Sequence, residues 1–88
     1  MRDRTPVLGE MVIYHDPVAF PHPALVTAVF TPTCINVVFL SKDEAKHDPY
    51  GRQIERETSV THKDTNTYGR YWRFADEEPN PIVAPQQV

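Results

Sequence analysis

A single cysteine, Cys34, leaves this chain without an internal disulfide. It lies in the apolar run Cys34-Ile35-Asn36-Val37-Val38-Phe39-Leu40, where a reduced thiol behaves as a small hydrophobe, so a core position is expected for it. No histidine or lysine falls within several positions of it to activate a nucleophile. Glycine is scarce too, at three residues, which excludes a glycine-rich phosphate cradle; Walker, GxGxxG and GxSxG patterns are missing as well. No apolar run approaches the roughly 18 residues that span a bilayer, and the opening Met1-Arg2-Asp3-Arg4-Thr5-Pro6 has no signal-peptide core. A soluble, cytosolic-type protein with no membrane partner is the expectation.

Bases do not outnumber acids either: nine stand against twelve, a net charge of −3, which argues against a protein that coats nucleic acid. The excess is confined to the end of the chain. Asp76, Glu77 and Glu78 follow the last base, Arg73, so residues 1–73 are balanced at nine acids and nine bases. Arg52, Arg56, Lys63, Arg70 and Arg73 exceed the acids between them by two. That stretch is either a solvated face or a place to hold a small anion.

What the chain does have is β-branched and aromatic residues in short runs bounded by Pro, Gly, Asp and Asn, the pattern of strands joined by turns. Eighty-eight residues suffice for one such domain. Five strands are predicted, over 11–15, 24–30, 34–40, 56–62 and 71–74, with Pro21 and Pro23 keeping the first connector irregular and Thr31-Pro32-Thr33 making a hairpin. The fold class expected is all-β, a small five-stranded SH3-like barrel over 11–75, after an N-terminal extension at 1–10. Residues 41–55 read as a long polar loop, with room for a short helix through Asp43-Glu44-Ala45-Lys46 capped by Ser41. From 76 to 88 the chain reads as an extended acidic, proline-rich arm on which Ile82, Val83 and Val88 offer apolar holds.

Period-two alternation puts Ile35, Val37 and Phe39 on one face of the third strand and Cys34, Asn36, Val38 and Leu40 on the other. Both faces are largely apolar, which favours a homo-oligomer or a clamped tail. Asn36 in that setting needs hydrogen-bond partners, supplied by a turn backbone or by a ligand.

Histidines bring two loose clusters, His15-Asp16 with His22 and His47-Asp48, without the spacing of a zinc site, so no metal and no cofactor are implied. Ser59 and His62 fall on opposite sides of an extended strand and do not make a nucleophile and base. The remaining constellation is aromatic and basic: Tyr14, His62, Tyr68, Arg70, Tyr71, Trp72 and Arg73. Planar rings stack on bases or prolines and arginine forks onto phosphate, so the set suits a nucleotide-like or peptide ligand; Trp72 and Phe74 equally suit a packed core.

Gly9-Glu10-Met11-Val12-Ile13-Tyr14, Pro23-Ala24-Leu25-Val26-Thr27-Ala28-Val29, Ile35-Asn36-Val37-Val38-Phe39, Thr58-Ser59-Val60-Thr61-His62 and Tyr71-Trp72-Arg73-Phe74, in that order, resemble a family of small tailed-phage and prophage proteins with a predicted SH3-like barrel. Phe74 stands where the family pattern has the second tryptophan of a Trp-x-Trp. The resemblance implies a phage origin and a non-enzymatic role. Two settings follow from it: an oligomeric counter-defence protein that sequesters a nucleotide-like signal in the host cytoplasm, or a minor virion component. An SH3-type adaptor for peptides is a third. In the sequestering role Thr58, Ser59, His62 and Asn36 would give polar contacts, Arg70 and Arg73 would meet phosphate, and Tyr14 or Trp72 would stack.

Overall fold

The computed structural model describes residues 4–65 and 69–81. Val12 and Tyr14 alternate with Met11 and Ile13 along β1 (Met11–His15), and Ala24 and Val26 alternate with Leu25 and Thr27 along β2 (Pro21–Thr31). Alternation continues in β3 (Cys34–Leu40), where Ile35, Val37 and Phe39 are buried. After a small hairpin, β4 (His47–Asp48) and β5 (Gly51–Arg52), the chain runs through β6 (Ile54–Thr61) and ends its sheet with β7 (Tyr71–Phe74). The long strands form one five-stranded antiparallel sheet in the order β6-β3-β2-β1-β7, and its two outer strands approach each other at a bridge between His62 and Trp72. The protein is all-β: no helix occurs among the described residues, and none there is long and apolar enough to cross a membrane.

The inward side chains pack as one core of Val12, Tyr14, Val26, Ile35, Val37, Phe39, Val60, Trp72 and Phe74. Tyr14 stacks on Phe39 with ring centroids 4.9 Å apart, and Trp72 meets Phe74 edge-on at 4.9 Å, both favoured aromatic geometries.

Several expectations need correction. β2 begins at Pro21, not at 24, and pairs its prolines with β1. The main chain of Val26 bonds to Gly9 and Glu10 on the β1 side, so the alternate residues Pro21 and Pro23 present their imino nitrogens on the other side. β3 reaches only as far as Ala24 there, and the missing N–H groups have no ladder to break. Residues 41–55 hold the β4–β5 hairpin and the start of β6 in place of a loop or helix; Ser41 Oγ accepts the Asp43 N–H in a tight turn instead of capping a helix. Cys34 is half-buried on the outer face, opposite to Ile35, and is not a core residue. The extension before β1 is part of the fold, since Pro6 is fully buried. The arm is likewise anchored at its base: the Asn80 backbone N–H donates to the Tyr71 hydroxyl oxygen at 3.0 Å and its side-chain amide donates to the Lys63 carbonyl at 3.1 Å. Ile82, Val83 and Val88 lie outside the described residues.

Candidate functional site

The residues singled out from the sequence fall into three separate groups. Trp72 and His62 form an internal knot, with Arg73 linked to it through Glu77 from the other side of the sheet. Thr33 O accepts both the Trp72 indole N–H at 3.0 Å and the His62 backbone N–H at 2.8 Å. The Asp64 N–H points at His62 Nδ1, so Nε2 carries the proton and donates to Glu77 Oε1 at 2.8 Å. That same oxygen accepts the Phe74 N–H at 2.8 Å. Arg73 donates Nη1 to the Glu77 carbonyl at 2.7 Å and Nε to His15 Nε2 at 3.0 Å. Trp72 is completely buried, which fits its packing alternative, and His62, expected as a polar ligand contact, is nearly so. Glu77 was not legible as a site residue, being one of three acids in an apparently solvated arm. With His62 and Asp64 it brings three donor atoms within 4.8 Å of one another. An ion there would have to displace the hydrogen bonds just described.

Tyr14, Arg70 and Thr58 form the second group. Arg70 donates Nη1 to Glu57 Oε1 at 2.8 Å and Nη2 to the Thr58 carbonyl at 2.9 Å. Burial, reinforced by the Glu57 carboxylate, pushes the Tyr14 hydroxyl up to about 12. Above it opens a cleft of about 250 Å³ with Asp16, Asp43, Glu55 and Glu57 on its walls and Lys42 as the cation among its lining residues. Its sign does not suit an anion. Of the local basic excess, Arg52 is tied to the Ser41 carbonyl and Lys63 to Asp64, while Arg56 forms no ion pair among the described residues. Tyr68 lies outside the described residues, and Tyr71 is buried with its ring stacked on His15 at 4.5 Å.

Asn36 and Ser59 make the third group. Register slips between Ile35 and Val37, so Thr58 and Ser59 together oppose Asn36 in a bulge. Ser59 takes a left-handed φ of 53°, and Asn36 Oδ1 accepts its N–H at 2.9 Å. Asn36 is therefore a structural amide. Asn36→Ala is expected to cost about 1 kcal/mol, whereas Ser59→Gly, which relieves the left-handed strain, is expected to stabilise by roughly 0.5–1 kcal/mol. Urea unfolding followed by circular dichroism checks the opposite signs. Ser59 is exposed while His62 is buried and engaged elsewhere.

The histidine cluster expected around Asp16 is divided. Asp16 Oδ1 collects the N–H groups of Val18 and Phe20, and Oδ2 meets His22 Nε2 at 3.0 Å. Burial pushes the Asp16 carboxyl up, but these hydrogen bonds outweigh it, with help from Lys42, and hold it below its ordinary value. His15 turns away, giving Nδ1–H to the Ala19 carbonyl at 3.2 Å and accepting from Arg73. Burial depresses its pKa, and the Arg73 charge adds to that. A histidine depressed in the folded state contributes stability that is complete above its unfolded pKa, about 6.5, and is lost as pH falls through the folded value. Asp16 adds a second loss at more acidic pH, below its own unfolded value. The stability gap between the wild type and His15→Gln is thus expected to shrink between neutral pH and pH ~5, measured as the difference in urea midpoint across a pH series. His47 and Asp48 are exposed on the β4–β5 hairpin.

One surface went unresolved in the sequence beyond the two-faced character of β3. Met11 opposes Leu25, Leu25 opposes Val38, and Val38 opposes Arg56, all on the outer face; one step along, Leu40 opposes Ile54. Met11, Leu25, Val38, Leu40 and Ile54 line an apolar groove of about 240 Å³. Leu40 and Ile54 are 60% and 65% exposed. The outer face of an antiparallel sheet is ordinarily polar, and a contiguous apolar stretch there marks a contact surface. Compared with known protein families, with curated proteins and with solved structures, the chain matches none.

Proposed function

We propose that the protein is a non-enzymatic binding protein that works as a homo-oligomer, with the outer face of its sheet as the surface of assembly. The observation that supports this is the apolar row Met11, Leu25 and Val38 with Leu40 and Ile54 beside it, uncovered by any described part of the chain. Burying such side chains is worth about 25 cal/mol per Å² removed from water, enough over several residues to drive association. In the phage setting implied by the sequence resemblance, the same face would join subunits of a sequestering oligomer in the host cytoplasm or of a virion. Protein contact is favoured over capture of a small anion, because Arg70 and Arg73 already serve Glu57, the Thr58 and Glu77 carbonyls and His15.

Sedimentation velocity from low micromolar to millimolar concentration tests the reading. A mass above that of the 10.1 kDa monomer, lost in Leu40→Asp, is expected. A monomer across the whole range overturns it.

A further inference from the structure

We propose that the groove on the outer face takes the tip of the β4–β5 hairpin from a second copy of the chain, Tyr50 seating among the apolar side chains and Asp48 meeting Arg56. This rests on the reading of that face as the assembly surface and adds which residue fills it.

Tyr50 is 96% exposed, so it does not occupy the groove of its own copy. The hairpin that carries it is held firm from several sides. Asp48 Oδ1 accepts the Tyr50 N–H at 2.8 Å, Gly51 closes the turn at a φ of 131°, and Arg52 Nη1 ties the base to the Ser41 carbonyl at 2.7 Å. A tyrosine presented on a pre-ordered support gives up little entropy when it docks, and aromatic residues of this kind dominate contact energies.

Charge complements the fit. The Asp48 carboxylate has no cation partner among the described residues, and Arg56, which shares a row with Val38 at the edge of the groove, has no carboxylate partner there. An acid beside the tyrosine at the tip and a base beside the groove pair when the two surfaces meet. The contact joins two different patches of the molecule, so it is head-to-tail: it closes into a ring or continues as a chain, whereas groove-to-groove contact stops at a two-fold dimer.

The wild type, Tyr50→Ala, Ile54→Asp and an equimolar mixture of the two variants, compared by sedimentation velocity, test the proposal. Ile54 is 65% exposed, so the charge is tolerated by the fold; Leu40→Ser serves the same purpose if Ile54→Asp fails to fold by circular dichroism. Each variant alone is expected to be monomeric, with the dissociation constant raised roughly 30-fold or more. Their mixture is expected to give a species of twice the monomer mass and nothing larger, because one partner keeps a groove and the other a tyrosine. Asp48→Lys and Arg56→Asp are each expected to weaken association, and the two together to restore it. Tyr50→Ala that assembles like the wild type, while Ile54→Asp does not, overturns Tyr50 as the occupant and spares the outer face; a wild type that is monomeric throughout overturns both.

Discussion

Trp72→Ala is expected to be the most destabilising single change in the chain, lowering its urea midpoint steeply. The indole is 0% exposed, lies edge-on to Phe74 at 4.9 Å and to His62 at 4.7 Å, and sits where β7 meets the end of β6. Removing a buried tryptophan side chain costs about 3–5 kcal/mol, and a domain of this size holds only about 4–13 kcal/mol in all. The loss also opens the junction between the two outer strands, so the cavity has little chance of being refilled by a local shift. Trp72→Phe separates volume from the hydrogen bond. Thr33 O keeps the His62 N–H when the indole is gone, so that variant is expected to lose only about 1–2 kcal/mol and stay folded. Far-ultraviolet circular dichroism with urea titration distinguishes the two; a cooperative transition in Trp72→Ala with a midpoint near that of the wild type would show that the junction does not depend on the ring.

Glu77→Ala is expected to have the next largest effect, although the residue lies beyond the last strand. Its side chain is 8% exposed and its Oε1 is shared by His62 Nε2–H and Phe74 N–H. Each buried donor left without an acceptor costs about 1–3 kcal/mol, so for the two a loss of roughly 2–6 kcal/mol is expected. Glu77→Gln retains a carbonyl oxygen for the same donors and is expected to lose less than half of that. Amide hydrogen exchange gives a local readout, because in the alanine variant the Phe74 amide should exchange much faster while amides in the middle of β3 change only with global stability. Equal acceleration in both variants would show that the carboxylate, not the acceptor position, holds the segment.

Alternation made β1, β3 and β7 legible from residue types alone, because a period of two tells which side chains go inward once one face is apolar. The start of β2 was hidden: two prolines in three residues are the strongest local signal against a strand, and only the absence of β3 alongside them makes the arrangement harmless. The β4–β5 hairpin was hidden for a different reason, since two residue pairs are too few to show a period. For the candidate site, the aromatic and basic residues stand out by type, but sequence proximity does not say which face each occupies. Trp72 and Arg73 are neighbours in the chain and point to opposite sides of the sheet, one into the core and one toward His15. Asn36 was legible as a polar group in need of partners; that its partner is the N–H of Ser59 depends on a bulge, which leaves no mark in composition. Tyr50 passed as an ordinary loop residue because exposure is a property of the fold and not of the residue.

The two prolines of β2 have a consequence for how the molecule meets others. The ladder between β2 and β3 stops at Ala24, and beyond such an end a strand with free N–H groups is a template on which a stray strand can grow a cross-β stack. Pro21 and Pro23 turn toward that edge without an N–H to give, so an incoming backbone finds no donors to pair with. The prolines thus disfavour fibril-like growth by strand addition at that end.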